Sequence, residues 1–257
     1  MDGPMLHVLL ILLVLIALPA RAAPSWDIQF SGPLDLSVPV QILDLDPDGV
    51  TADQIAALKA RGVMPICYVS VGTVEDYRAD RAAFPPQVLG KRYAEWPDEV
   101  FLDIRQRDVL LPLMTARLRR CAELGFLAVD PDNQDVHDND TGLDVTAQDT
   151  LLWLRDLARI AHGMGLRIGQ KNIGALTPDL VDTMDFVVTE NCLTDGWCDQ
   201  VAAYAEAGKP ILAIEYGVAP QDRAAACARA RAAGISMVFK TRVLSAGGAG
   251  CPSAKPP

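Results

Sequence analysis

Five times along this chain an Ala/Leu-rich segment of helical period stops at a glycine and gives way to a short β-branched run. The junctions are Arg61-Gly62, Leu124-Gly125, Met164-Gly165, Ala207-Gly208 and Ala233-Gly234. Glycine just past a helix takes the left-handed cap without steric cost, so each junction marks a helix end before a strand. Helices are predicted at 52–61, 108–124, 147–164, 178–183, 197–207 and 222–233, and strands at 26–30, 40–44, 63–69, 126–129, 167–171, 186–189, 211–214 and 235–239, with 100–104 as an extra. Alternation of this kind builds βαβ units on a parallel sheet. Eight strands suit closure into one α/β fold, a single (β/α)8 barrel. The competitor is an open doubly wound sheet, but no G-x-G-x-x-G follows the first strand.

The 257 residues are half hydrophobic and 22% charged, enough apolar material for a sizeable core. One domain is expected over 23–245. Residues 6–18 form an apolar run too short for a comfortable membrane span, and Ala20-x-Ala22 follows as a signal-peptidase site, so 1–22 reads as a signal peptide. Its start carries Asp2 and no Lys or Arg, which raises Met5 as the true start, and on length a retained membrane anchor is the alternative. A secreted or periplasmic protein is expected, with no stable membrane insertion after signal removal.

All six cysteines lie beyond that segment, and an even count in an exported chain points to disulfides without fixing their pairing. Cys192 and Cys198 bracket one short loop and are the best pair. Cys227 with Cys251 would tie down the Gly/Pro/Ala-rich tail, 246–257, which is otherwise expected to be flexible. Cys67 sits inside an apolar strand, and a buried free thiol is an equal reading. The stretch 71–97, with Pro85-Pro86 and scattered charge, reads as a long excursion over the barrel mouth.

A net charge of −10 argues against nucleic acid and anionic membrane as partners and favours a neutral or cationic ligand. There is no CxxC, and the histidines are only His7, His137 and His162, so neither a metal nor a cofactor is expected. A monomer is expected.

Barrel active sites sit at the carboxyl ends of the strands. The residues there are Asp44, Asp46, Tyr68, Ser70, Asp130, Asp132, Asn133, Lys171, Asn172, Glu190, Glu215, Tyr216 and Lys240. Any one of them has a bland reading: a carboxylate ending a strand often caps the next helix, and Asp46 before Pro47-Asp48-Gly49 fits a turn. As a set they exceed what caps require. Glycoside cleavage needs a carboxylic acid and a carboxylate on opposite sides of one bond, and Asp132, Glu190 and Glu215 are the first candidates, with Asp130 and Asp44 behind them. Trp26, Tyr68, Trp96, Trp197 and Tyr216 are aromatic candidates for a sugar face, whereas Trp153 within a helix reads as core. A lysine-dependent lyase or aldolase would use Lys171 or Lys240 as a neutral amine, which so many carboxylates oppose.

Gly32-Pro33-Leu34-Asp35, Tyr68-Val69-Ser70-Val71-Gly72, Phe101-Leu102-Asp103-Ile104-Arg105, Pro131-Asp132-Asn133, Asn139-Asp140-Thr141-Gly142, Lys171-Asn172 and Glu190-Asn191-Cys192 occur in this order. The ordered set resembles glycoside hydrolase family 114, the endo-α-1,4-polygalactosaminidases. The resemblance runs from about Trp26 to about Gly217. It implies a TIM barrel that cuts a galactosamine or N-acetylgalactosamine polymer of exopolysaccharide, partly deacetylated and so cationic. The family's Glu-Pro-Asp-Asn and Asn-Glu-x-Cys motifs carry its catalytic pair over to Asp132 and Glu190. The other strand-end residues and Trp197 are then substrate-binding candidates. Here the motifs read Asp130-Pro131-Asp132-Asn133 and Thr189-Glu190-Asn191-Cys192, departures that flank the carboxylates and spare them. The rival from another class is a barrel that binds the polymer without cutting it.

Overall fold

The elements follow the helix, glycine, strand rhythm. The computed structural model describes residues 23–252, and the expected signal segment lies outside them. In chain order the elements are β1 (Trp26–Gln29), β2 (Ile42–Leu45), α1 (Ala52–Ala60), β3 (Met64–Ser70), β4 (Thr73–Glu75), β5 (Leu89–Arg92), β6 (Glu99–Leu102), α2 (Arg107–Leu124) and β7 (Ala128–Asp132). Then come α3 (Ala147–Gly163), β8 (Arg167–Lys171), α4 (Thr177–Leu180), β9 (Phe186–Glu190), α5 (Ala202–Glu206), β10 (Ile211–Tyr216), α6 (Arg223–Ala232), β11 (Ile235–Lys240) and β12 (Ala249–Gly250). All five junction glycines have positive φ, between 68° and 94°. Capping boxes start α1 at Thr51 with Gln54 and α3 at Thr146 with Asp149.

Eight strands pair in parallel in the order β1-β2-β3-β7-β8-β9-β10-β11, and β12 adds antiparallel to β11. β1 and β11 meet without a regular ladder. Their seam is held by the Trp26 indole donating to Ser236 O (3.0 Å) and by Phe30 N donating to Leu244 O (2.8 Å). The sheet is thus a nearly closed barrel. No helix joins β1 to β2, where Gly32-Pro33 and Pro39 break the chain. The predicted 178–183 and 197–207 helices shorten to α4 and α5, the latter entered through a 3-10 turn at Cys198–Val201. The expected extra strand is real but lies outside the barrel, in a three-stranded sheet β4-β6-β5.

Side chains of a strand alternate between faces, and this parity divides the core in two. Trp26, Ile28, Ile42, Ile66, Ala128, Phe186, Val188, Leu212, Ile214 and Val238 fill the barrel. Their neighbours in sequence, among them Leu43, Cys67, Val129, Ile168, Val187 and Ala213, point outward into the layer beneath the helices with Leu110, Met114, Leu154 and Leu157. Trp153 belongs to that layer, its indole donating to Val71 O (3.1 Å), which accords with the core reading. Trp26 plugs the barrel bottom, so it offers no sugar face.

Cys67 has outward parity and faces α2, where it bonds to Cys121 across 6.0 Å between Cα atoms. The free-thiol alternative therefore fails: a cysteine on the outer face of a strand meets the covering helix, and that helix carries the partner. Cys192–Cys198 and Cys227–Cys251 also form. The last bond and the β12 pairing anchor the described part of the tail through Cys251, the pairing expected to tie it down, and residues 253–257 lie outside the described residues. Three disulfides fit an oxidising compartment.

The Cys67–Cys121 bond closes a 54-residue separation and should stabilise by about 4 kcal/mol on chain-entropy grounds. Paired replacement by alanine is expected to lower the guanidinium unfolding midpoint accordingly. An unchanged midpoint would show that the cross-link is energetically idle.

Candidate active site

Three successive barrel strands end in the same way. Asp132, Lys171 and Glu190 close β7, β8 and β9, and each is followed by an asparagine in the left-handed region: Asn133 (φ 59°), Asn172 (φ 50°) and Asn191 (φ 54°). Asparagine tolerates that conformation better than other residues with a Cβ. Each turn sends its amide sideways to a neighbour. Asn172 Nδ2 donates to Glu190 Oε2 (3.1 Å), while its Oδ1 accepts from Glu190 N (2.9 Å). Asn191 Oδ1 accepts from Tyr216 N (2.9 Å). Asn133 Nδ2 reaches Ser70 Oγ (2.9 Å), Thr73 Oγ1 (3.0 Å) and Glu99 Oε2 (3.1 Å). Gly72 permits this last turn, because a Cβ there would lie 1.7 Å from Asn133 O.

The turns hold a cluster around one ammonium. Lys171 Nζ donates to Asp132 Oδ1 at 2.8 Å and lies 3.6 Å from Asp130 Oδ2 and 3.8 Å from Glu190 Oε2. Burial alone would lower the Lys171 ammonium, but the carboxylates of Asp130, Asp132 and Glu190 outweigh it and hold it well above its ordinary value. Phenols complete the shell. Tyr68 donates to Asp132 Oδ2 (3.2 Å) and Tyr216 to Glu190 Oε1 (2.5 Å). Burial, then the adjacent carboxylates, push both hydroxyls up, so they remain donors.

Above the cluster opens a cleft of about 490 Å³. Of the residues picked from the sequence, Asp46, Tyr68, Asp132, Asn133, Lys171, Asn172, Glu190 and Tyr216 line it. Five do not. Asp44 and Asp130 are buried below the floor, and Ser70 is buried behind it, bonded to Asn133 and Thr73. Glu215 has outward parity, opposite to Ile214 and Tyr216, and accepts Leu193 N (2.8 Å), Thr194 N (3.1 Å) and Thr194 Oγ1 (2.6 Å). It anchors the loop that Cys192–Cys198 staples and is removed from the catalytic candidates. Trp197 packs on the hydrophobic core beside that staple instead of facing the cleft. Asp46 is spoken for: it caps the next turn through Asp48 N (2.8 Å) and pairs with Arg78 (2.7 Å). Lys240 is tied to Asp27 (2.6 Å), Ser245 O (3.0 Å) and Gly247 O (2.6 Å). Lys171 is kept charged and Lys240 is fully engaged by its partners, so neither lysine offers the free amine a Schiff base needs.

The excursion after β3 supplies what residue-by-residue reading missed. Tyr77, Tyr93, Glu95, Asp98 and Glu99 join Trp96 on the cleft wall, with Tyr77 65% and Trp96 42% exposed, and Asp135, Asp195 and Arg242 come from other loops. The placement of this excursion over the mouth was legible in the sequence, so its aromatic residues were open to the same inference. Glu99 was hidden one residue before the extra strand. Burial pushes its carboxyl up to about 7, with bonds from Thr73 and Asn133 opposing and Asp132 adding to the rise.

A carboxyl raised in the fold stays protonated where the unfolded chain has already lost its proton, so stability falls as pH rises from about 4.5 to about 7. Glu99→Gln removes that penalty. Its melting temperature relative to wild type is expected to climb across this window, as followed by thermal unfolding, and a flat difference would refute the raised Glu99.

Comparison with known proteins agrees with this architecture. The model of glycoside-hydrolase family GH114 matches residues 16–254. The crystal structure of Aspergillus fumigatus Ega3 in complex with galactosamine superposes with a TM-score of 0.85 at 34% identity, covering 90% of this chain and 97% of that one. The glycoside hydrolase domain of PelA from Pseudomonas aeruginosa shares the fold, with a TM-score of 0.69 at 18% identity over 88% of this chain and 98% of that one. No curated protein sequence matches the chain at a significant level. With the barrel, the ordered motifs and these likenesses in agreement, the chain belongs to glycoside-hydrolase family GH114 and is a glycosidase.

Proposed function

We propose that the protein is an exported, endo-acting hydrolase of a galactosamine-containing, partly deacetylated polysaccharide, and that Asp132 and Glu190 are its reacting carboxyl pair. The observation that carries the reading is the single ammonium of Lys171 reaching both carboxylates on the floor of an open cleft. The likeness to a protein bound to galactosamine supports the sugar. An aromatic rim suits pyranose faces, and an acidic one suits protonated amines.

Asp132 receives the short Lys171 contact and the Tyr68 hydroxyl, and it takes the nucleophile role. Glu190 lies farther from the ammonium and takes the acid role, with Tyr216 and Asn172 fixing its orientation. Retaining pairs stand about 5–5.5 Å apart, and inverting pairs about 6.5–9.5 Å, to admit a water. A cation shared between the two favours the closer spacing, and with it retention of anomeric configuration.

Asp132→Asn and Glu190→Gln are each expected to cut oligosaccharide release from a deacetylated galactosamine polymer by about 10²–10⁴-fold. Unchanged release by both variants would sink the assignment. Proton NMR of the first product should show the α-anomer before mutarotation, and an initial β-anomer would indicate inversion.

A further inference from the structure

The mechanism leaves two buried carboxyls inside the barrel unused, Asp44 and Asp130. Asp44 points into the barrel from β2 and is 0% exposed, flanked in register by Ile28 on β1 and Ile66 on β3. No donor among the described residues reaches either of its oxygens, and none reaches either oxygen of Asp130. Yet the two side chains share the inner face of the barrel, Asp44 level with Ile66 of β3 and Asp130 level with Tyr68 two residues farther along that strand, and Asp130 is the charge that acts most on Asp44. Two carboxylates so placed are both acceptors and repel each other, and burial without a donor costs each of them its hydration. One proton between them removes both penalties.

We propose that Asp44 is a carboxylic acid at neutral pH and donates its proton to Asp130, forming a buried acid–carboxylate pair that positions Lys171 for the reacting carboxyls. The charge balance supports it. Asp44, Asp130, Asp132 and Glu190 gather around the one ammonium of Lys171, and Tyr68 beside them stays neutral. With all four ionised, two anions below Lys171 would pull it down from Asp132. With Asp44 protonated, Asp130 alone balances it from 3.6 Å, and the shorter 2.8 Å bond to Asp132 prevails. Burial, then Asp130, push Asp44 well above the usual carboxylate range. Asp130, buried too but relieved by Lys171, is pushed up less, to about 6. Asp44 is thus a positioning residue that acts through Asp130 and Lys171.

The inference rests on Asp132 and Glu190 as the reacting pair, but its main readout is independent of catalysis. Infrared difference spectra at neutral pH should show a protonated-carboxyl band of wild type that is lost in Asp44→Asn, over a Glu99 contribution common to both, and that shifts in frequency in Asp130→Asn, which removes its acceptor. Either variant suffices if the other does not fold. Asparagine at 44 is a neutral donor of the same shape, so Asp44→Asn should keep neutral-pH turnover within a few-fold while losing an alkaline limb present in wild type. The substrate's own amines titrate alike in both, so the difference between profiles belongs to the protein. Asp130→Asn leaves Lys171 without its lower anion and should cut kcat by more than about tenfold. A wild type without the band, a band unchanged in folded variants, or coincident pH profiles for wild type and Asp44→Asn would overturn the proposal. Failure of the catalytic reading would instead show as full activity in Asp132→Asn.

Discussion

A buried ammonium among carboxylates is the constraint on which the site is built. Lys171 is 4% exposed, and desolvating a lysine is unfavourable unless anions replace its water. The anions have the converse problem, since carboxylates brought close enough to act on one glycosidic bond repel each other. One cation answers both demands and limits how far apart Asp132 and Glu190 can stand. The pairing of β8 between β7 and β9 sets its lysine between their carboxylates. Gly169 helps locally, because a Cβ there would strike the Phe186 ring at 2.5 Å. The barrel filling and the charge cluster are therefore one packing problem.

Much of this was legible in the sequence. The glycine junctions marked helix ends, and all eight barrel strands fell within a few residues of their expected positions. What failed was parity. The expected strands stopped at 129, 189 and 214, whereas β7, β9 and β10 run on to Asp132, Glu190 and Tyr216. Residues that looked as if they followed a strand were still inside it, so adjacent ones point opposite ways. Glu215 looked equal to Glu190 as a candidate, yet it faces a loop outside the barrel. Cys67 shared that outward parity and found Cys121. Boundary error of two or three residues does little harm to a fold assignment, but it decides which side of a sheet a carboxylate serves.

The rim was less legible because it is assembled from segments distant in sequence. β4, β5 and β6 form a small sheet after β3 that carries Tyr77, Tyr93 and Glu99 to the cleft, while Arg242 arrives from beyond β11 and pairs with Glu95 (3.2 Å). The anchoring is electrostatic and internal. Arg78 ties the excursion to the β2 loop through Asp46 and Asp48 and to β4 through Glu75, and Arg117 of α2 holds Asp80. No local pattern announces such pairings.

Floor and rim thus resolve the excess negative charge in different ways. On the floor, Lys171 and the phenols satisfy Asp132 and Glu190 within the protein. On the rim, the exposed Asp98 and Asp195 line the cleft with no ion-pair partner among the described residues, and Arg242 is already engaged. Charges left to water cost the fold little but keep a negative potential over the opening, and a concave low-dielectric wall focuses it. A polymer carrying protonated amines would gain from that field along its length. The proposed reacting pair has its own internal cation, so its charge is compensated whether or not such a chain fills the cleft. On that proposal capture and chemistry are separated by depth, with the internal cation between them.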